Sequence, residues 1–591
     1  MVKKLSELIT DIVKDAFAQC NYSPEYGLVT LSDRPDLCQF QCNGALAAAK
    51  DYKKAPVTIA AEIAFFLKEH PDLKEVACVK PGFINITLED QFVIKYLSAM
   101  LEADIFGCEE IGDNKTVIVD YGGPNVAKPL HVGHLRTAVI GESIKRIGRF
   151  LGYKILGDVH LGDWGLQIGL ILAELKRRDP DLSYFDSNYV GEYPMEAPFN
   201  ITELEEIYPA ASSYAKNNPA FMEEAKQATL LFQNGHRGYV ALWQHILHVS
   251  IEDLKKNYAD LNVYFDLWKK ESDAQPYISK MIEELKNKGF AYLSDGALVV
   301  DVKDDSDTKE IPPCILVKSD GATLYSTTDL ATIIERMELY NPDEIIYIVD
   351  KRQELHFEQV FRCAKKTNLV SPNTKLTFLG FGTMNGKDGK PFKTRDGGVM
   401  RLEHLIREAG DKVYQRVTEN KEIPQEEAKE ISKKVGLAAL KYSDLSNQIS
   451  KDYVFDVDRF TAFEGNTGPY ILYTVVRIKS VLNKFFSMNP GYRADDVSMQ
   501  FPCSENERNL MLKIVQFNEV IINSFIEYSP HRVCQFIYEL SMEANRFYYE
   551  NRIISEQNPL RQYSWIKLIT LTRDILIACL DLLGIEAPDR M

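Results

Sequence analysis

The chain has 591 residues, a formal net charge of −16, and a composition of 45% hydrophobic and 26% charged residues. That balance is ordinary for a soluble globular protein, its sign argues against a general nucleic-acid coat, and no apolar run reaches membrane-spanning length. The ten cysteines are scattered, with only Cys38 and Cys42 close together; free thiols in a reducing cytoplasm are expected rather than zinc ligands.

The length suggests about four domains. In the first, residues 1–110, Leu5, Leu8, Ile9, Ile12, Val13 and Phe17 fall on one helical face. Acidic residues interrupt this stretch, so a signal peptide is not expected. Helices are predicted over 44–50 and 58–70, and short strands over Val76–Lys80 and Phe83–Leu88, around the turn Pro81-Gly82. The polar segment 107–115 reads as a boundary. From there strands alternate with helices: 117–121, a helix from His134, then strands near 153–157, at 344–349 and at 375–381. This predicts a parallel, doubly wound sheet over 111–404, with ligands at the carboxyl ends of its strands. Residues 170–310 break the alternation and are read as an insertion. A helical connector is expected over 405–460. A helical bundle follows over 461–591, where Leu510, Ile514, Phe517, Ile521 and Phe525 recur at three and four.

Chemistry concentrates in two places. His131-Val-Gly-His134 follows a strand and opens a helix. Free N–H groups and the dipole favour an anion there, and two histidines one turn apart can donate to phosphate oxygens. Gly133 leaves room for a flat group to approach. The second place is a loop in which Lys387, Lys390, Lys393 and Arg395 lie among Gly386, Gly389, Gly397 and Gly398. Such a loop can neutralise pyrophosphate as it forms. Taken singly, each has a plainer explanation: histidines that cap a helix, and a solvated loop. GFGTMNG at 380–386 misses the dinucleotide fingerprint by one residue, and no Walker A sequence occurs. His245 and His248 have no third ligand in view and are read as structural.

His131-Val-Gly-His134 resembles the HIGH signature of class I aminoacyl-tRNA synthetases, and 390–398 resembles a divergent KMSKS loop, with Pro391 and Thr394 at its two lysine positions. The blocks at 40–50, 122–142, 159–169, 319–331, 390–398, 463–478 and 587–591 resemble those of the arginyl-tRNA synthetase family. The resemblance implies a multidomain α/β protein. Its parts would be a Rossmann-like parallel-sheet catalytic domain with an insertion, an N-terminal α/β added domain at the tRNA elbow, and a C-terminal all-α anticodon-binding bundle.

It also implies a two-step reaction in which L-arginine and ATP form arginyl-adenylate and the arginyl group then passes to tRNA(Arg). Implied ATP contacts are Pro124, His131, Gly133, His134, Lys393 and Arg395, with Lys128 substituting for the missing signature lysine. Asn125 and Gln353 would hold the amino and carboxylate end of arginine. Tyr325 and Asp329, one turn apart if helical, would meet the guanidinium, whose planar fork needs acceptors. Phe40, Gln41 and Asn43 are implied at the tRNA elbow. Arg546, Tyr549 and Arg552 interleave with Phe547 and Tyr548 in a pattern that suits base stacking, although the apolar members also fit a bundle core. Mg²⁺ would arrive with ATP, no structural metal is expected, and the family default is a cytoplasmic monomer. Two rivals are a different adenylate-forming enzyme, which would have no use for the bundle if it acted alone, and a non-catalytic RNA-binding paralogue, which should have lost the signature histidines.

Overall fold

The computed structural model describes residues 3–32, 34, 37–390, 400–419, 423–493 and 498–591. An antiparallel sheet near the N-terminus has the order β1 (Val29–Leu31), β2 (Phe40–Cys42), β4 (Phe83–Leu88), β3 (Leu73–Val79). Helices α1 (Leu5–Gln19), α2 (Gly44–Asp51), α3 (Pro56–Leu67) and α4 (Asp90–Glu102) accompany it. Leu5, Ile9, Val13 and Phe17 of α1 are buried, as their spacing predicts.

The central sheet is parallel, in the order β12 (Lys375–Phe381), β11 (Glu344–Asp350), β5 (Thr116–Asp120), β6 (Lys154–Leu161), β7 (Leu267–Lys270). Val117, Ile118, Val119, Ile345, Ile346 and Ile348 are buried, the continuous apolar run expected of strands covered on both faces. Helix α5 (Val132–Phe150) crosses from β5 to β6. It begins two residues before the predicted His134, because His131 itself is the cap.

After β6 come α6 (Leu166–Arg178), α7 (Ile201–Asn217), α8 (Pro219–Gln233) and α9 (Arg237–Asp260). The stretch read as an insertion then returns to the sheet as edge strand β7, followed by α10 (Glu271–Asn287). Strands β8 (Ala291–Ser294), β9 (Ala297–Val300) and β10 (Cys314–Val317) form a small antiparallel sheet. Helix α11 (Tyr325–Tyr340) leads into β11, and α12 (Glu354–Lys366) leads into β12. Beyond β12, β13 (Met384–Asn385) pairs in parallel with β14 (Tyr453–Val454).

The rest is helical: α13 (Leu402–Val417), α14 (Gln425–Leu445), α15 (Val457–Phe460), α16 (Gly468–Met488), α17 (Glu505–Ile514), α18 (Phe517–Ile526), α19 (Pro530–Glu550) and α20 (Pro559–Leu582). Val533, Ile537, Leu540 and Phe547 of α19 are fully buried. This bundle is tied to the sheet at several points. Arg146 on α5 pairs with Asp581 at 2.7 Å. Lys441 on α14 donates to the Leu261 and Gly584 carbonyls, each at 2.7 Å. Among the described residues, no helix is long and apolar enough to cross a membrane.

Candidate active site

The carboxyl ends of β5, β6, β11 and β12 surround a cavity of about 580 Å³ whose wall includes Asp120, His131, Gly133, His134, Arg136 and His160. Its position follows from the parallel sheet, whose strands all open their loops on one edge.

The two signature histidines hold each other in place. The backbone at His131 is extended (φ −116°, ψ 169°), and its Nδ1 accepts from the Gly133 N–H at 3.0 Å. The Nδ1 of His134 accepts from the His131 N–H at 3.1 Å. These bonds satisfy helix-start donors that would otherwise be free. They also fix the tautomer: with Nδ1 accepting, each neutral ring carries its proton on Nε2. The ring centroids are 3.9 Å apart. Burial lowers the proton affinity of both rings; with His131 and Lys128 acting in the same direction His134 falls to about 3, and Lys128 also lowers His131. Near neutral pH the helix start therefore presents two uncharged donors. Gly133 is needed for an additional reason: a Cβ there would stand 2.8 Å from Cε1 of His131.

Around this pair the chain is stitched from distant segments. Val132 N–H donates to the Met400 carbonyl at 3.0 Å, and Leu402 N–H to the Leu130 carbonyl at 2.9 Å. The residues that follow 391–399 are thereby anchored at the start of α5. Lys393 and Arg395, with Pro391 and Thr394, lie outside the described residues. The Lys128 ammonium sits 4.5 Å from the ring centre of Tyr208 on α7, a cation–π contact. Arg136, one turn into α5, donates to Asp444 at 3.0 Å and to the carbonyls of Gly382 and Lys451 at 2.7 and 3.0 Å. Tyr453 also donates to Asp444, at 2.9 Å. Burial pushes the Asp444 carboxyl up, and the Arg136 guanidinium opposes it.

The opposite wall carries the carboxylates. Asp329 lines the cavity, and its Oδ2 is 2.6 Å from Nε2 of His356. Gln353 lines it as well, in the single helical turn after β11. Tyr325 opens α11 and is 75% exposed, so core packing is not its role. Asn125 is exposed and bridges to Gly162, where a Cβ would stand 2.0 Å from its Oδ1; Pro124 beside it is buried. Beneath the cavity, Nη2 of Arg336 is held between Asp120 and Asp158, at 2.6 Å from each. Burial pushes the Glu271 carboxyl up, and the nearby His160 opposes it. Among the described residues, no three His, Cys, Asp or Glu side chains are grouped to hold a metal ion.

Arg136, His160, Arg336 and His356 escaped the sequence reading. Their partners lie far along the chain, 308 residues for Arg136 and Asp444 and 216 for Arg336 and Asp120. The available signal was that His160 is the second residue of the block 159–169 and Arg136 lies in 122–142.

The residues implied at RNA divide. Phe40 is 1% exposed in the N-terminal core, so its ring has no face to offer a base, and its assignment as an RNA contact is corrected here. Gln41 is half-buried and bonds to Asn85 at 2.9 Å, and Asn43 is exposed. On α19, Phe547 is core while Arg546 is exposed and pairs with Glu543 at 2.7 Å. Tyr549 is 72% exposed, and Arg552 beyond the helix is exposed. The Arg477 guanidinium lies over the rings of Tyr473, Tyr548 and Tyr549, at 4.7, 5.5 and 5.3 Å from their centres.

Comparison with known proteins matches the three parts separately. Residues 3–88 match the arginyl-tRNA synthetase N-terminal domain, 96–457 the catalytic domain of class I (R) tRNA synthetases, and 471–591 the DALR anticodon binding domain. The chain is 59% identical over 587 residues to the arginine–tRNA ligase of Alkaliphilus oremlandii, covering 99% of this chain and 100% of that one. It is 56% identical over 597 residues to the arginine–tRNA ligase of Agathobacter rectalis, covering all of both chains. Its fold superposes on the crystal structure of arginyl-tRNA synthetase from Plasmodium falciparum with a TM-score of 0.83, at 24% identity and covering 100% of each chain. The chain belongs to the arginyl-tRNA synthetase family of class I aminoacyl-tRNA synthetases.

Proposed function

We propose that the chain is an arginine–tRNA ligase that activates L-arginine with MgATP and esterifies it to the 3′ end of tRNA(Arg). The observation that carries this reading is the pair of capping histidines, whose Nε2–H donors sit on the wall of the same cavity as Asp329. In the first step a carboxylate oxygen of arginine attacks the α-phosphorus, and the bond to pyrophosphate breaks. In the second a ribose hydroxyl of the terminal adenosine attacks the acyl carbon, and AMP leaves. Neither step needs a protein nucleophile, so positioning and charge stabilisation carry the rate.

In this reading His131 and His134 donate to the phosphates as negative charge shifts onto them, and Lys128 adds the positive charge. Pro124 and Gly133 border the adenine, and Lys393 and Arg395 meet the leaving pyrophosphate. Asn125 and Gln353 hold the α-amino and carboxylate end of arginine, while Asp329 and Tyr325 take the guanidinium. Mg²⁺ enters as part of the nucleotide, bound by phosphates and water. Gln41 and Asn43 face the tRNA elbow. Arg546, Tyr549 and Arg552 face the anticodon loop, together with the exposed stack of Arg477 on Tyr549. The working division is 1–110, 111–404, 405–460 and 461–591, in a cytoplasmic monomer.

The test is ATP–pyrophosphate exchange with arginine, with and without tRNA(Arg), against lysine, glutamine and cysteine. Exchange with arginine alone among these supports the reading. Exchange with another amino acid, or none from folded protein that binds tRNA, overturns it.

A further inference from the structure

We infer that His160 is a substrate-binding residue, whose imidazole accepts a hydrogen bond from the arginine guanidinium across the cavity from Asp329. The inference rests on the proposal that this cavity takes arginine.

Side chains alternate along a strand, so Asp158 and His160 of β6 share one face. On α11, Asp329 and Arg336 are seven residues apart, two turns along one helical face. Strand β6 climbs toward the cavity and α11 descends from it. At the lower level Asp158 and Asp120 grip the guanidinium of Arg336 at 2.6 Å each. One level higher, His160 and Asp329 both line the cavity. The chain has thus built a guanidinium site from its own side chains, and His160 and Asp329 add two potential acceptors one level above it, on the cavity wall.

The ring of His160 has its own reason to want a partner. Both its nitrogens are buried without a hydrogen bond to any described residue, whereas buried polar groups are nearly always satisfied. The backbone of Gly123 closes on the strand end that carries it: a Cβ there would stand 2.2 Å from the His160 carbonyl oxygen. The surroundings suit a cation. Glu271, Asp158 and Asp329 lie around this level, and the nearby cations are engaged, Arg336 by the two aspartates and Lys269 by Glu335 at 2.7 Å. A lysine ammonium is satisfied by carboxylates in many orientations. A planar guanidinium needs acceptors lying in its own plane, and an imidazole nitrogen is an in-plane acceptor that adds no negative charge.

The experiment compares His160→Leu, which keeps volume but loses both nitrogens, with His160→Gln, whose amide oxygen still accepts. Arginine and ATP are titrated separately in ATP–pyrophosphate exchange with tRNA(Arg) present, and thermal unfolding checks the fold. The expected result for His160→Leu is a rise of about tenfold or more in KM for arginine, the scale of one hydrogen bond to a charged group. KM for ATP stays unchanged, the preference for arginine over lysine narrows, and His160→Gln recovers most of the loss. An unchanged KM for arginine, a parallel rise in both KM values, or failure of Gln to recover anything in a folded variant overturns the inference. Should His160→Leu not fold, His160→Gln is compared with His160→Ala: KM for arginine within a few fold of wild type for Gln while Ala shows the rise supports it, and equal KM values in these two variants overturn it. If the wild-type enzyme does not exchange with arginine at all, it is the functional reading that fails.

Discussion

His131 and His134 each spend one ring nitrogen on the backbone of the turn they share: Nδ1 of His131 on the Gly133 N–H at 3.0 Å, and Nδ1 of His134 on the His131 N–H at 3.1 Å. The signature is therefore a helix cap and, in the proposed reaction, a pair of phosphate donors as well, and substitutions can separate the two roles. Asparagine at position 131 retains a cap acceptor but has no group at the place of Nε2–H. The expected outcome is that His131→Asn and His131→Ala both lose about 10²–10³ in kcat for pyrophosphate exchange, as for an oxyanion donor. Only His131→Ala should also lose about 1 kcal/mol of stability. Paired exchange assays and denaturant midpoints check this.

The burial of His134 sets a pH dependence with a definite sign. Its folded pKa of about 3 lies below the unfolded value near 6.5, so between these the unfolded chain binds the extra proton. The stability contribution is complete above about pH 6.5 and is lost as pH falls toward 3. At pH 5 the loss is about 2 kcal/mol, from some 1.5 units at 1.36 kcal/mol each. Denaturant midpoints at pH 7.5 and pH 5 should fall less in His134→Gln than in wild type. Equal falls would assign the acid sensitivity to other groups.

Asp444 is the buried counter-charge of Arg136, and both side chains are almost fully enclosed. Asp444→Ala leaves a guanidinium uncompensated and should cost about 3–5 kcal/mol. Asp444→Asn keeps an acceptor for Tyr453 and Arg136 and should cost less. Arg136 shares the cavity wall with His134, so exchange activity should fall alongside stability, in the same order of variants. Urea unfolding with parallel exchange assays tests this.

On the amino-acid side, His356 binds Oδ2 of Asp329, a residue of the cavity wall. Asp329→Asn should lower kcat/KM for arginine by about a hundredfold, within the roughly 2–5 kcal/mol that follows loss of one member of a charged pair, and leave KM for ATP unchanged. His356→Ala should show a smaller effect of the same kind. A variant in which both substrates' KM values shift together would point to a general collapse of the wall.

Local pattern made most of the frame readable. The strand at 375–381 appears as predicted because an apolar parallel strand looks alike wherever it pairs. Helix α1 shows the face its spacing requires. Strand β7 was missed because Leu-Trp-Lys-Lys is a four-residue edge strand with no fully buried residue to mark a periodicity. Phe40 shows the reverse error. Its block resembles a family pattern, but an aromatic on a short strand is as readily core as contact, and only the packing of β2 on β4 decides. At the site, the histidine pair was legible because both members fall within one turn. The partners of Asp329, Arg136 and Arg336 were not, since those pairings exist only once separate strands and helices are brought to the same edge.

Arg136 also governs where one such enzyme could be joined to another. Its three partners come from before the long helix α14 (Gly382), from that helix's last turn (Asp444) and from beyond it (Lys451). A hybrid cut within 382–453 would hand part of this set to a foreign parent. Cut instead between Phe460 and Gly468, the recipient keeps the whole of it, and the donated bundle still meets Lys441 through the Gly584 carbonyl. A carbonyl is supplied by any residue. A cut at that junction therefore keeps the Arg136 set whole, while Arg146 still needs a donor that supplies Asp581.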